Sequence, residues 1–336
     1  MDFRKRLNEN NLNKNILAKS MVKRQEKILE RERFDATLLK REIFVPGIWD
    51  FGNNNEATTK FFSDIVEAIF DSDLSGTNLV INLDNLNNFS IESIVYFIAI
   101  ISLLNHHGVM YSGLLPNDAN LKKNLGYYGF HNHVAMDGKL KYDKSILAVE
   151  CYDRTKPELV SKIRVFTKNN CSKTEGSYLA SMCEMIIEMM DNTCNHAYDN
   201  IEKTRTVLKR WYICAKNEEK CISYVFLDTG LGIPKTVMRK WNEFYGFSNS
   251  KIINSALKGD YPRSSTGHNF RGKGLLQIYS HFKSENCIRD FKVISGRGMC
   301  IFNNIDKEDA DLIELGSDIR GTIFCWKIDK TKVMKG

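Results

Sequence analysis

Glu188-Met189-Met190-Asp191-Asn192-Thr193-Cys194-Asn195-His196-Ala197-Tyr198 is the stretch from which the rest of the chain is best read. Ile186, Ile187, Met189 and Met190 supply an apolar face, and Gly176 stands ahead of the run, so one long helix is predicted from Tyr178 to about Asn200. Glu188 and Asn192 are four residues apart and therefore share a face of that helix. A carboxylate and a carboxamide one turn apart can act as a general base and as an oxygen ligand for a hard cation such as magnesium.

Three downstream pieces give this pair a context. Cys221 to Leu227 reads as a strand, joined by a polar turn at 216–220 to a strand over Tyr212 to Cys214. It ends in Asp228-Thr229-Gly230-Leu231-Gly232. A carboxylate at a strand end can accept a hydrogen bond from an exocyclic amine such as that of adenine, and glycines at 230 and 232 allow unusual dihedrals and close approach of a flat ring. Next, Thr266-Gly267-His268-Asn269-Phe270-Arg271-Gly272-Lys273-Gly274-Leu275 is a glycine-rich loop opening a helix, where free amides and the positive helix end suit phosphates. No Ser or Thr follows Lys273 at the spacing of a P-loop, so that reading fails. Lastly, Arg320-Gly321-Thr322 leads into a final strand, Thr322 to Ile328. Phe291 to Ser295 and Met299 to Asn303 read as two strands joined by a tight hairpin at Gly296-Arg297-Gly298. Each piece is common alone; their order is what argues for a magnesium-nucleotide site.

The first half of the chain has a different character. Residues 1 to about 43 are rich in Lys, Arg, Glu and Leu and read as one or two amphipathic helices, ended by Pro46-Gly47. A helical pattern follows over Phe61 to Phe70, then a short buried strand at Leu79 to Leu83. Ser90 is placed to cap an apolar helix, Ile91 to Leu104, which Gly108 stops. Val109 to Ser112 reads as a strand and Asn120 to Tyr128 as a helix, so a small α/β layer with a parallel strand pair is expected. Ile146 to Cys151 begins the second domain as a strand, and Pro157 opens a helix through Phe166. The expected division is 1–45, a charged helical segment; 46–145, a small α/β domain; and 146–336, a nucleotide-binding domain.

The bulk numbers narrow the function classes. With 336 residues, 43% hydrophobic and 26% charged, the chain is long enough for two cored domains of ordinary globular composition. The formal net charge of +7 is too dispersed to imply nucleic acid. Nine cysteines show no CxxC pair and no zinc-like Cys/His cluster, which suits reduced interior thiols and a cytoplasmic setting. The first residues lack the apolar core of a signal peptide, and the run Ile94 to Leu104 is too short for a bilayer, so no membrane is expected.

The C-terminal half, roughly 150 to 330, resembles the GHKL (Bergerat-fold) ATPases and kinases, the superfamily of the gyrase B subunit, MutL, histidine kinases and anti-sigma-factor serine kinases. Glu188…Asn192 matches the N box, Asp228-Thr229-Gly230-Leu231-Gly232 the first glycine box, Arg271-Gly272-Lys273-Gly274-Leu275 the second, and Gly321-Thr322 the terminal Gly-Thr. The run Glu188…Asn192…His196-Ala197-Tyr198-Asp199 is most similar to the anti-sigma-factor serine kinases. The resemblance implies a Bergerat-type α/β sandwich with helices on one face of a mixed sheet, and ATP with Mg2+ as cofactors. It implies Glu188 as general base and Asn192 as magnesium ligand. Asp228 would meet the adenine amine with help from Thr322, Gly230 and Gly232 would floor the adenine pocket, and Arg271, Gly272, Lys273 and Gly274 would contact phosphates. The segment from about Tyr245 to Phe270 would be a mobile lid. His196 is read as structural or at the pocket edge. No His-Glu phosphoacceptor pattern precedes the N box, and His106-His107 sits at a loop edge, which argues against a histidine kinase.

Residues 46 to 135 resemble a STAS domain, with strand Leu79–Leu83, Ser90 and Ser93 at the following helix start, and the Val109 strand as the matching features. The Asp-Ser-Ser/Thr-Gly phosphorylation motif of that family is not intact in Asn88-Phe89-Ser90-Ile91-Glu92-Ser93. Three functions follow as expectations: an ATPase or serine/threonine protein kinase in signalling, a non-catalytic ATP-dependent switch acting on a protein partner, and a MutL-like DNA-associated ATPase. The N-terminal helices could support a homodimer.

Overall fold

Apolar residues recurring at helical and at strand spacing resolve into a mixed α/β architecture. The computed structural model describes residues 40–70, 77–134, 143–171, 176–198, 208–241, 244–260, 273–303 and 310–333. The first half forms β1 (Lys40–Phe44), β2 (Ile48–Trp49), α1 (Asn55–Phe70), β3 (Asn78–Asn82), β4 (Asn88–Phe89), α2 (Ile91–His106), β5 (Tyr111–Leu114), α3 (Ala119–Tyr127) and α4 (Phe130–His133). The second half forms β6 (Ile146–Tyr152), α5 (Pro157–Asn170), α6 (Ser177–Asn195), β7 (Trp211–Asn217), β8 (Cys221–Asp228), α7 (Ile233–Lys240), α8 (Asn249–Lys258), α9 (Lys273–Ser284), β9 (Ile288–Phe302), β10 (Asp311–Asp329) and α10 (Lys330–Val333).

A three-stranded sheet in the order β1-β3-β5 is parallel throughout, and β2 pairs with β4 beside it. A five-stranded sheet in the order β6-β7-β8-β10-β9 carries the second half. Each of its pairings is antiparallel, where a mixed sheet was expected. β7 and β8 form a hairpin across the 217–221 turn, and β9 and β10 pair as successive antiparallel strands. Between β6 and β7 two successive helices, α5 and α6, bring the chain back so that it enters β7 antiparallel.

Two apolar clusters account for the core. One face of the five-stranded sheet packs against α5, α6, α8 and α9 through residues such as Ile163, Met185, Met189, Ile253 and Phe282. The other cluster runs from the small sheet through α1 and α2 to Tyr212, Cys214, Val225, Leu227 and Ile323 on the reverse face of the large sheet. The first half of the chain is therefore a layer laid over that reverse face, with continuous apolar packing between the two. This explains why α2 is apolar all round: it is covered on several sides, and its residues from Glu92 to Leu104 are all buried. Trp49, Phe61, Phe62, Tyr96 and Phe97 pack ring against ring beside it, with centroids 4.8–6.5 Å apart.

Several expectations need correction. Lys40–Phe44 is a strand, not the end of a helix; residues 1–39 of that charged segment lie outside the described residues. Parallel pairing with β3 and burial of Ile43 outweigh the polar composition. Strand β5 starts at Tyr111 because Gly108 (φ +65°) and Val109 still close α2, the Val109 amide bonding to the Leu104 carbonyl. Ser90 occupies the N-cap position of α2, but its hydroxyl pairs with that of Ser93 instead of capping an amide. Helix α6 ends at Asn195, where the amides of His196 and Ala197 both bond to the Asn192 carbonyl. The Gly296-Arg297-Gly298 hairpin does not exist: β9 runs straight through it. Those glycines make room for α8, since a Cβ on Gly298 would lie 2.4 Å from the Ser250 amide and one on Gly296 would lie 2.6 Å from the Asn249 side chain. Residues 249–258 of the expected lid are a packed helix with Ile252, Ile253, Ala256 and Leu257 buried, while 261–270 lie outside the described residues.

Among the described residues, one ion pair crosses between the layers. Glu92 on α2 pairs with Lys292 on β9, their side chains 7% and 16% exposed. Burial opposes the charge on Lys292, and the Glu92 carboxylate more than offsets this, so the ammonium titrates above the ordinary lysine range. Glu92→Ala should destabilise the chain by about 3 kcal/mol or more, because it strands a buried cation. The double replacement Glu92→Leu, Lys292→Met should recover most of that loss. Urea unfolding checks both, and a near-zero effect of the single substitution would show that the interface is wet and open.

Candidate functional site

The site is built where β8 and β10 end together. Antiparallel register sets Thr322 directly opposite Asp228. Both side chains are buried, 4% and 5% exposed, at the bottom of a cleft. Asp228 Oδ1 accepts the Gly230 amide at 2.8 Å, which folds the Asp228-Thr229-Gly230 turn back on its own carboxylate. The next strand supplies Ser295, which no local pattern singles out. Its Oγ accepts the Ile233 amide at 2.9 Å and donates to the Gly321 carbonyl at 2.7 Å, which leaves Thr322 as donor in their 3.2 Å hydroxyl pair.

Glycines hold this corner together for reasons of space. Gly321 has φ +84°, and a Cβ there would lie 1.9 Å from the Asp228 carbonyl oxygen. Gly232 has φ +85° and precedes α7, with Ser295 Oγ 2.6 Å from where a Cβ would sit. It lines the cleft. Gly230 is not among the residues that line it; it is buried beneath the residues following α6, where a Cβ would lie 2.4 Å from the Ala197 carbonyl oxygen. The Leu231 amide bonds to that same carbonyl at 2.8 Å. The 228–232 turn is thus clamped to Ala197, two residues past the end of α6, and this contact holds it against that helix.

Across the cleft, Met189, Asn192 and His196 present one face of α6, at spacings of three and four residues. Gly274, in the first turn of α9, lies so close to Asn192 that a Cβ would be 2.6 Å from both its terminal atoms. Leu275 completes that wall, and Ile233, Thr236, Val237, Lys240 and Trp241 form the side made by α7. The sequence offered no signal for the α7 wall beyond a short amphipathic turn after Gly232.

Glu188 lies one turn before Asn192 on α6 and is half-buried, beside the cleft lining. Burial, with the neighbouring Asp191 adding to it, pushes its carboxyl above the usual range. Asp191 is engaged elsewhere and accepts the Thr155 hydroxyl at 2.7 Å. Arg271 and Gly272 lie outside the described residues, and Lys273 is described only as the first residue of α9.

The donor set suits a ligand with a polar head and a flat apolar body. The Asn192 carboxamide nitrogen is buried with no hydrogen-bond partner, and a carboxamide can turn either its oxygen or its nitrogen to a ligand. Asp228 offers a buried carboxylate among Met189, Ile233, Val237 and Phe324. Among the described residues no group of three or more His, Cys, Asp or Glu could hold a metal ion. A magnesium ion at Asn192 would therefore draw its remaining oxygens from phosphates and water, which is that ion's habit.

No protein-family model matches the chain, and no curated protein matches it at a significant level. The chemistry of the cleft therefore rests on its own geometry. Among the described residues no helix is long and apolar enough to cross a membrane. All nine cysteines are unbonded, six of them buried.

Desolvation raises the Asp228 carboxyl from its ordinary 3.8 to about 7, against the opposing hydrogen bond from Gly230. Between about pH 4 and pH 7 the folded chain holds a proton there that the unfolded chain has released, so this group's contribution to stability falls as pH rises through that window. Asp228→Asn removes the titration. Its urea midpoint should decline less than that of the unaltered chain between about pH 4.5 and 7. Parallel curves would mean that Asp228 is ionised throughout.

Proposed function

We propose that the chain is a magnesium-dependent ATP-binding protein of GHKL type that hydrolyses ATP or transfers its γ-phosphoryl group to a protein serine or threonine. The observation that carries this reading is the buried carboxylate of Asp228 set opposite Thr322, at the foot of a cleft whose far wall joins Asn192 to the first turn of α9. A buried carboxylate with a hydroxyl beside it suits the exocyclic amine and ring nitrogen of adenine. The apolar side chains Met189, Ile233 and Val237 suit the flat faces of the base. Asn192 and the N-terminal end of α9 lie together on the opposite wall, where phosphates would be met by backbone amides and a positive helix end.

Bound ATP supplies the transferable phosphoryl group, and magnesium neutralises its charge. The chain's own residues do the rest. Asp228 and Thr322 orient the base, Asn192 contributes one ligand oxygen, and Glu188 accepts the proton from the attacking hydroxyl as its oxygen bonds to phosphorus and ADP departs. Helices covering one face of the large sheet support a Bergerat-type reading of the second half. The parallel β1-β3-β5 sheet, with Ser90 ahead of α2, supports a STAS-like reading of the first. A cytoplasmic signalling protein acting on a protein partner fits this combination.

The test uses γ-labelled ATP and magnesium with the full chain. We expect free phosphate, or label on protein. Glu188→Gln should slow this by about 10²–10⁴-fold while leaving nucleotide binding in place. Asp228→Ala should abolish binding. If millimolar ATP and magnesium neither shift the thermal unfolding of the chain nor are turned over, the proposal fails.

A further inference from the structure

Arg320 stands one residue before the Gly321-Thr322 pair, and the site described so far gives it no role. Its Nε donates to the Thr229 carbonyl at 3.1 Å, inside the turn that carries Asp228. Its backbone is held from the other layer. Tyr96 on α2 receives the Arg320 amide on its hydroxyl oxygen at 3.0 Å and donates that hydroxyl to the Arg320 carbonyl at 3.2 Å. The guanidinium lies over the ring of Phe70, the last residue of α1, 4.8 Å from its centroid. Tyr96 is fully buried, so its hydroxyl has no solvent alternative to these two bonds.

We propose that Arg320 is a positioning residue for the base-recognising carboxylate Asp228, held in place by Tyr96 and Phe70, so that both layers complete the adenine end of the cleft. The inference rests on the nucleotide reading of the cleft. Its geometry is that of a brace. The guanidinium fixes the Thr229 carbonyl, the Gly230 amide two residues on from Asp228 fixes Oδ1, and Gly321 lies against the Asp228 carbonyl from the opposite strand. A turn held at three points leaves the carboxylate one place to be, and recognition of a flat base tolerates little displacement. The guanidinium also favours the ionised form of Asp228, the better acceptor for an amine. The titratable and charged groups around this corner are Tyr96 on α2, Tyr198 after α6, Asp318 on β10, and His196 and Lys240 in the cleft lining.

Two measurements on the full chain separate this inference from the reading beneath it. The first is the Asp228 titration midpoint by carboxyl NMR on nucleotide-free protein. The second is affinity for ATP and magnesium by calorimetry. Arg320→Gln should raise the midpoint and weaken nucleotide binding about tenfold or more, as expected for loss of a hydrogen bond from a charged group. Arg320→Lys should return the midpoint toward that of the unaltered chain while restoring less of the affinity, because an ammonium lacks the directed guanidinium fork. If Arg320→Gln does not fold, Tyr96→Phe, which removes only the hydroxyl, should move both quantities in the same direction by less. An unmoved midpoint with unchanged affinity in the folded variants overturns the inference. If the unaltered chain does not bind nucleotide, the reading of the cleft fails, and the midpoint alone still decides whether Arg320 braces Asp228.

Discussion

The register of β10 on β8 is the constraint on which the rest depends. It places Thr322 against Asp228, and a one-residue slip would turn Thr322 away from the cleft and send every side chain of β10 to the opposite face. That register is fixed at the site end by the close approach of Gly321 to the Asp228 carbonyl, which no other residue type could make. It is fixed along its length by apolar side chains on both faces of the sheet, because both faces are covered. A sheet with one wet face could tolerate more variation in β10; this one could not.

Covering both faces also explains the character of the site. Asp228 is buried at the foot of the cleft on the α6 side of the large sheet, while α1 and α2 pack on the reverse face. Desolvation lifts its carboxyl to about 7. The same layering makes Glu92–Lys292 a buried pair and joins the Tyr96 hydroxyl to the Arg320 backbone. Electrostatics at the cleft thus depends on a part of the chain that contributes no residue to the cleft lining.

Much of the candidate site was legible because its residues fall in short runs with local meaning. Glu188 and Asn192 declare a shared helical face by their spacing, Asp228 declares a strand end by the glycines after it, and Gly274 and Leu275 declare a helix start. Ser295 was not legible, since a serine inside a strand has no local signature and acquires its role only from the backbone groups brought to it. Gly296 and Gly298 were misread for a related reason: glycine frees the backbone for a turn and equally permits close packing, and only the presence of α8 decides between them. Gly230 illustrates the same ambiguity, since its lack of a Cβ permits the close approach of Ala197.

By itself the sequence determined the order of helices and strands over most of the described chain, the shared face of Glu188 and Asn192, and the position of Asp228 at a strand end. These follow from periodicity and turn chemistry, which act over a few residues. Only the tertiary structure decided that the small α/β layer covers the back of the large sheet, that the large sheet is antiparallel, and that Tyr96 meets Arg320, 224 residues away in sequence. Such contacts are selected by burial of whole faces against one another, and no local pattern encodes which face will meet which.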